Sequence, residues 1–406
     1  MDRASQAVPS PRMAAGAPDK AEDEGITMKP FETIGLAGAA AMTLGLAAGA
    51  AHADPLASPA MTPPLAANAN PIGYATGFGK IYLSGQLTGL GLWQDNSVPG
   101  DKDSRADLSN AQLEVQKTDG VVQFYIQGGA YSLPSLGAPY VKADKLPDLT
   151  YKWVPLAYVK IAPNANFSIM AGKLPTLIGA EYTFTFQNMN VARGLLWNQE
   201  PAISRGVQAN FTQGPWAVSL SVNDGYYSNR FTTGSALVTY TIGKQDTVAA
   251  AGSVQFRKTS KASLATPVPQ NNGDIFNLIW THTEGNWQVI PYLQYGHTPK
   301  STRAGLPASG SAFGGAVLAK YSFNPSFSLA GRAEYIASSG GQSLLYGPKS
   351  RAWSLTLTPT WQLKTFFIRG EVSYTGLDKA APGAGFGATG DKDSQARAMV
   401  ETGVLF

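Results

Sequence analysis

Sixteen segments between Gly79 and Phe406 alternate apolar and polar residues with a period of two. In the segment AQLEVQ, for example, Leu113 and Val115 share one face, and Glu114 and Gln116 share the other. A period of two is typical of a β-strand that has one face in an apolar environment and the other in water. The chain is therefore predicted to fold into a sheet of sixteen strands, the fourth of them over Tyr151–Ile161.

The connections between these segments alternate in length. Seven are short and turn-like, such as Thr118–Gly120, whereas the eight between them are long and rich in Gly, Pro, Asp, Asn and Ser. Outer-membrane barrels have short turns at one rim and long loops at the other, and closure removes exposed sheet edges. The prediction is an all-β transmembrane antiparallel up-and-down β-barrel of 16 strands, with short periplasmic turns and long extracellular loops.

Composition fits this fold. Hydrophobic residues make up 44% of the chain and charged residues only 14%, and cysteine is absent. Without cysteine, a disulfide framework and thiolate-based metal or nucleophile sites are excluded. From Phe78 onward no apolar run reaches eighteen residues, which removes the helical route across a membrane.

The N-terminal region has the pattern of a secretory signal. An apolar run from Ile34 to Ala51 follows Met28 and Lys29, and the small residues Ala51 and Ala53 suit cleavage after Ala53. We expect residues 1–53 to comprise an N-terminal extension and a signal peptide, with translation starting at Met28. Residues 54–72 are expected to form a flexible leader and residues 73–406 the barrel. A retained membrane anchor is the alternative. Removing residues 1–53 leaves 31 − 4 = 27 basic and 27 − 6 = 21 acidic residues, a balance of +6.

The chain ends in a strand pattern with Phe406 as the last residue. In lipid the last strand must pair with the first, and aromatic rings settle at the membrane interface. We interpret Phe406 as the assembly signal by which the barrel is handed to the barrel-assembly machinery of a bacterial outer membrane. Trp216, Trp287, Trp353 and Trp361, which fall near segment ends, are predicted to join it in an aromatic girdle.

The polar faces carry charges that cannot point into lipid, because a charge near the midplane costs ~2–4 kcal/mol. The predicted pore-lining residues are Lys320, Arg332, Glu334, Arg369, Glu371, Arg397 and Glu401. They are expected to guide solutes, to brace the wall through Arg332–Glu334 and Arg369–Glu371 pairs, or to do both. A barrel of sixteen strands leaves an aqueous channel between such walls.

The longest loop, Leu174 to Ser204, follows the fifth strand. It contains Phe184, Phe186 and Trp197 and is too apolar to extend into solvent. We expect it to fold into the lumen and narrow the pore, with the constriction formed by Glu181, Arg193, Glu200 and Arg205. In the alternative, it forms a cap or an oligomer contact and its charges pair internally.

The sequence shows no clear motif for catalysis or for metal binding. His282 and His297 are fifteen residues apart and lack a triad arrangement, so a polar ring near the membrane interface is the favoured role. The segment GDKDS occurs at Gly100–Ser104 and Gly390–Ser394, where solvated turns are favoured over a divalent-cation site. We expect no enzyme activity, no cofactor, no bound metal and no nucleic-acid partner.

The stretches GKLPTLIGAE, NMNVARGLLW and EPAISRGVQANF resemble the OmpL-like β-barrel porins of Gram-negative bacteria. The resemblance spans most of 73–406 and is sharpest from Gly172 to Asn229. The matching positions are Gly179, Glu181, Asn188, Asn190, Arg193 and Gly206. The resemblance implies an outer-membrane channel for small solutes, and it implies no catalytic residues.

Two classes of function follow. The first is a porin for passive diffusion of ions and small hydrophilic solutes, with a mild anion preference from the +6 balance. The second is a non-conducting surface protein, such as an adhesin or assembly component, whose lumen is plugged by the leader or the long loop. An outer-membrane lipase or protease is a distant third. Expected partners are solutes, outer-membrane lipid, lipopolysaccharide and the assembly machinery; a homotrimer is left open.

Overall fold

The computed structural model describes residues 65–66 and 72–406, so the predicted signal peptide and most of the leader lie outside the described residues. Nearly all regular structure in the described part is β-strand. The strands are β1 (Ile72–Thr76), β2 (Gly79–Gln94), β3 (Ser104–Lys117), β4 (Val122–Tyr131), β5 (Leu156–Asn164), β6 (Phe167–Pro175), β7 (Ile203–Gln213), β8 (Trp216–Asn223), β9 (Thr233–Ile242), β10 (Asp246–Gln255), β11 (Asp274–Glu284), β12 (Trp287–Thr298), β13 (Gly310–Asn324), β14 (Phe327–Gly340), β15 (Arg351–Leu363), β16 (Phe366–Lys379) and β17 (Ser394–Leu405). One helix, α1 (Leu146–Leu149), and three 3-10 turns at Thr185–Gln187, Trp197–Gln199 and Gln270–Asn272 lie in the connections.

Strands β2 to β17 form a closed antiparallel ring. Each strand pairs with its neighbours in sequence, and β17 pairs with β2 from Arg397↔Gln94 to Leu405↔Gln86. The prediction of a closed barrel of sixteen strands is confirmed. The seven short connections contain two to four residues and the eight long ones nine to 27. Among the described residues, no helix has both the length and the apolar character needed to cross a membrane.

Burial alternates along each wall strand as the sequence pattern predicts. In β15, Leu355 and Leu357 are exposed on the outside, whereas Thr356 and Thr358 between them are buried on the inside. Large apolar side chains therefore cover the outer surface, and the polar and charged side chains of the strands lie mainly on the inner one, beside apolar residues such as Ile290 and Leu318. A barrel in lipid requires this distribution.

Aromatic side chains pair on the outer face at the rim of the short turns. The rings of Trp216 and Tyr240 are 4.5 Å apart and those of Trp287 and Tyr321 are 4.8 Å apart. Trp353 pairs instead with Tyr374 near the opposite rim. Such rings suit the two membrane–water interfaces.

The C-terminal residue closes the ring. Phe406 donates its backbone N–H to the Gly85 oxygen at 2.8 Å, and Gly85 donates back to Phe406 at 2.9 Å. A Cβ on Gly85 would lie 2.2 Å from the Phe406 ring, so the glycine makes room for the aromatic side chain. This contact satisfies the last backbone groups of the sheet.

One strand prediction was wrong in its limits, and one strand was missed. The segment predicted over Tyr151–Ile161 begins as β5 only at Leu156, because the preceding residues pack in the loop; the Tyr151 ring lies edge-on against Tyr227 at 5.0 Å. In addition, β1 was not predicted. β2 extends past the end of β17, and β1 folds back to pair with that extension from Ile72↔Leu83 to Thr76↔Gly79.

Candidate functional site

The long loop of residues 176–202, between β6 and β7, contacts the inner face of the opposite wall. Glu371 on β16 accepts hydrogen bonds from the backbone N–H groups of Val191 at 2.5 Å and Ala192 at 2.9 Å. The hydroxyl of Thr358 on β15 also donates to Glu371, at 2.8 Å. Two N–H donors and one O–H donor thus converge on one wall carboxyl group. The loop backbone is anchored to the wall through this side chain.

A second wall carboxylate anchors the next part of the loop. Glu334 on β14 accepts from the backbone N–H groups of Leu195 at 2.7 Å and Leu196 at 3.2 Å. Ser354 on the neighbouring strand donates to the same carboxylate at 2.5 Å. Glu371 and Glu334 together accept hydrogen bonds from four backbone N–H groups of the loop, which belong to the pairs Val191–Ala192 and Leu195–Leu196.

Arg332 lies between the loop and the wall. Its guanidinium contacts the loop residue Glu181 at 2.6 Å and Glu334 at 3.3 Å, and it donates to the Ala192 oxygen at 2.8 Å. The side chains of Arg332 and Glu181 are 0% and 1% exposed. A buried charge requires such compensation, because it has lost its water.

Arg369 pairs with Glu401 on the next strand, so the predicted Arg369–Glu371 pair was wrong. The guanidinium donates to Glu401 at 2.5 and 2.8 Å. Arg369 and Glu401 are directly opposite each other in the β16–β17 register. Directly opposed residues are about 5 Å apart at Cβ, which is closer than two residues along one strand. Arg332 and Glu334, in contrast, do interact.

Apolar contacts complete the docking of the loop. Met189, Leu195 and Leu196 belong to one buried cluster with the wall residues Ile290 and Leu318. Burying such side chains contributes about 1.5–3 kcal/mol each. The loop is therefore held by charged hydrogen bonds and by an apolar contact with the wall.

The four predicted constriction residues do not share one environment. Arg193 is 0% exposed, and its guanidinium donates to the backbone oxygens of Val191 and Thr183 in its own loop. Arg205, on β7, is partly exposed; it pairs with Asp224 at 2.8 Å and lies over the Tyr227 ring. Among the described residues, Glu181 pairs with Arg332 of the wall and Arg205 with Asp224, so no ion pair forms within the loop itself. A constriction role for these residues stays a prediction.

The other predicted lining residues also lie on the inner face. Arg397 donates to Gln94 at 3.0 Å and to the Ser135 oxygen of the β4–β5 loop at 2.8 Å. Lys320 is half-buried near a short turn. The other six predicted lining residues are at most 5% exposed. They therefore mainly contact protein, and a lining role stays a prediction.

Sequence reasoning did not identify the contacts by which uncharged residues position the loop. Asn190 donates to Thr358 at 2.7 Å, Thr185 to Glu401 at 2.5 Å, and Gln294 to the Leu196 oxygen at 3.0 Å. The parity of Gln294 and Thr358 indicated the inner face. No sequence signal indicated their partners in a distant loop.

Glu200, near the end of the loop, is buried at 2% exposure, and neither carboxylate oxygen has a hydrogen-bond partner within the described part of the chain. A Cβ on Gly179 would lie 1.8 Å from this carboxylate, so the two groups are in close contact. Burial, with the nearby charges of Glu181 and Glu334, raises the pKa of Glu200 well above its usual range. The folded loop therefore favours the protonated carboxyl.

Loop docking is expected to weaken as the pH rises. The carboxyl of Glu200 has a higher pKa in the docked loop than in the undocked loop, so it gives up its proton more easily when the loop undocks. The free energy of docking therefore falls by up to about 1.4 kcal/mol per pH unit above ~4.3, and this fall ends at the pKa of the docked state. Hydrogen-exchange protection of residues 176–202 at several pH values measures this loss. Glu200→Gln should flatten the profile, whereas Glu284→Gln, at an exposed residue, should leave it unchanged. An equal slope in Glu200→Gln and the unsubstituted protein would contradict this explanation.

The two GDKDS segments come together at the rim of the long loops. Both line one polar cleft of about 780 Å³. Asp101 was predicted to lie in a solvated turn, but its side chain is buried; its carboxylate pairs with Arg105 and accepts from Gln94 at 3.0 Å and from the Tyr140 N–H at 2.9 Å. Among residues 65–66 and 72–406, no group of three or more His, Cys, Asp or Glu could hold a metal ion.

The two histidines lie at opposite ends of the β11–β12 hairpin. His282 contacts Asp246 at 2.8 Å near a short turn, and His297 contacts Ser311 at 2.9 Å near a long loop. This separation prevents them from acting in one catalytic centre.

Solved structures with the same fold are porins and outer-membrane proteins. The anion-selective porin from Comamonas acidovorans matches with a TM-score of 0.57 at 13% identity, over 80% of this chain and 99% of that one. OmpF of Salmonella typhi, in complex with daunomycin, has a TM-score of 0.56 at 13% identity, over 82% and 100%. OmpT of Vibrio cholerae has a TM-score of 0.55 at 13% identity, over 82% and 100%. At these identities the likeness shows the fold. No curated protein matches the chain.

A family model matches residues 80–406, which is nearly the whole barrel. This match confirms the resemblance that was inferred from the segments between Gly172 and Asn229. The closed sixteen-strand ring, the apolar outer face and the polar inner face agree with it. The chain belongs to the family described as "Putative beta-barrel porin-2, OmpL-like", and it is an outer-membrane β-barrel porin.

Proposed function

We propose that the barrel conducts ions and small hydrophilic solutes by passive diffusion through a lumen narrowed by the loop of residues 176–202. The observation that carries this proposal is the anchoring of the loop backbone to the wall by Glu334 and Glu371. A loop that only capped the rim would not need buried wall carboxylates for its amides. Recordings of single channels in planar bilayers test the proposal, and a purified barrel without conductance would contradict it.

The charged residues of the site have a bracing role in this proposal. Arg332 with Glu181 and Arg369 with Glu401 neutralise one another while they hold the loop in place. The effective size of the channel is then set by how firmly the loop is docked. The polar character of the passage is set by the inner-face serine, threonine, glutamine and asparagine side chains.

A mild preference for anions is expected. The mature chain carries a balance of +6, and the charges on the inner face largely compensate one another in pairs. An excess of positive charge raises the local concentration of anions. The reversal potential in a potassium chloride gradient should give a chloride-to-potassium permeability ratio above one that falls toward one at high salt. A ratio below one would contradict the expectation.

A plugged, non-conducting surface protein is the second candidate. It is favoured by the near-complete burial of the wall residues Arg332, Arg369 and Glu401, which in a wide channel would meet water. In this case the intact protein is silent, and removal of the loop contacts opens a pore.

We also propose that Phe406 is recognised by the barrel-assembly machinery and that the protein acts as a channel, without enzymatic activity.

A further inference from the structure

The short stretch Leu65–Ala66, which precedes β1, is docked on the barrel. The side chain of Leu65 is fully buried. The N–H of Ala66 donates to the Gln362 side-chain oxygen at 2.6 Å, and the Gln362 amide nitrogen donates to the Ala66 oxygen at 2.7 Å. One side-chain amide thus binds both backbone groups of one residue, as a neighbouring strand would.

Gln362 faces the lumen at the rim of the short turns. It is buried near the end of β15, whereas Trp361 and Leu363 on either side are exposed on the outer face. Its amide also donates to the Lys364 oxygen in the adjoining turn, at 2.9 Å, which fixes its orientation. The docked stretch therefore lies against the inside of the wall at one mouth of the barrel.

The same part of the inner wall carries apolar side chains where polar ones are expected. Phe367 on β16 and Leu405 on β17 are fully buried, and their neighbours Phe366, Ile368 and Val404 are exposed on the outer face. Phe367, Leu405 and Leu65 belong to one buried cluster. An apolar patch on the water side of a barrel wall is unfavourable unless something covers it.

We propose that Gln362, Phe367 and Leu405 form a binding seat for an extended apolar peptide, and that Leu65–Ala66 occupies it as an intramolecular plug at the short-turn mouth. Gln362 recognises the backbone, and the ring of Phe367 with the side chain of Leu405 recognises the leucine. Release of the stretch from the seat uncovers that side of the lumen and widens the passage. This inference rests on the proposed channel function for its effect on conductance, but not for the docking itself.

The absence of cysteine allows a direct test of docking. Ala66→Cys introduces a single thiol and keeps both Leu65 and the backbone groups that Gln362 binds; its reaction with a membrane-impermeant maleimide reports exposure. We expect slow labelling in the otherwise unsubstituted barrel and labelling about tenfold faster when Gln362→Ala is added, because the two hydrogen bonds are lost. Gln288→Ala, at a buried inner-face glutamine close to another short turn, is the matched control and should leave the rate unchanged. Equal rates with and without Gln362 would overturn the docking.

Conductance separates the plug from the channel proposal. Gln362→Ala, without the cysteine, should raise the single-channel conductance or the open probability relative to the unsubstituted protein and to Gln288→Ala. A silent parent with a conducting Gln362→Ala variant also supports the plug. If the parent conducts and Gln362→Ala matches it, the plug is wrong while the channel stands. If neither conducts, both the plug and the channel are wrong, although slow labelling would still show that Leu65–Ala66 is docked.

Discussion

Replacing Glu334 and Glu371 together by glutamine is expected to release the loop of residues 176–202 and to raise the single-channel conductance several-fold. Four backbone N–H groups donate to these two carboxylates. Hydrogen bonds to a charged group contribute about 1.5–3 kcal/mol each. The glutamine side chain keeps the volume but has no charge and turns an NH₂ group toward some of these donors. Docking should therefore weaken by several kcal/mol in total.

The measurement combines bilayer recordings with limited proteolysis of the loop. Glu284→Gln removes a carboxylate that is exposed near a short turn, and it serves as the control for a loss of negative charge. If the intact protein is silent and the double variant conducts, the plugged barrel is the correct description of the resting state. A double variant with a protected loop and unchanged conductance would contradict the anchoring role of these carboxylates.

The architecture was predictable because lipid and water impose opposite demands on successive residues of a strand. Leu357 and Thr358 are adjacent in sequence, but one is exposed on the outer face and the other is buried on the inner face. This constraint acts on each strand separately and needs no knowledge of its partners. The strand count, the closure of the ring and the family resemblance all follow from patterns of this local kind.

The contacts of the loop were not predictable in the same way. The apolar character of Met189 and Leu196 indicated that the loop would be buried. Which carboxylate accepts which amide depends on the register of strands far away in the sequence, and periodicity carries no information about it. Arg369 illustrates this limit, because its partner Glu401 is 32 residues away and Glu371 only two. Proximity in sequence favoured the wrong partner.

The region before β2 shows a signal that was available but not used. The residues Ile72, Tyr74 and Thr76 alternate with small residues and precede the turn at Gly77–Gly79, which is a hairpin pattern. β1 was missed because five residues form a weak pattern and the proline-rich leader precedes them. The buried Leu65 gave no such signal, since its seat is formed by residues about 300 positions later.

Removing one partner of the Arg369–Glu401 pair is expected to produce the largest loss of barrel stability. Both side chains are 0% exposed, and the pair joins β16 to β17, the strand that closes the ring. Arg369→Ala leaves the carboxylate buried without its counter-ion, and breaking a buried pair in this way costs about 3–5 kcal/mol. Urea unfolding of the purified barrel in lipid vesicles, followed by tryptophan fluorescence, measures this loss as a lower midpoint.

Removing both charges should cost less than removing one. In the double variant Arg369→Met with Glu401→Leu, no unpaired charge remains, and apolar side chains of similar volume fill the space. Some loss remains, because Thr185 and Asn188 of the loop lose their hydrogen bonds to the pair. Arg351→Ala, at an exposed arginine on β15, is the control and should shift the midpoint little. A double variant less stable than Arg369→Ala would show that the two charges contribute mainly through the loop rather than through each other.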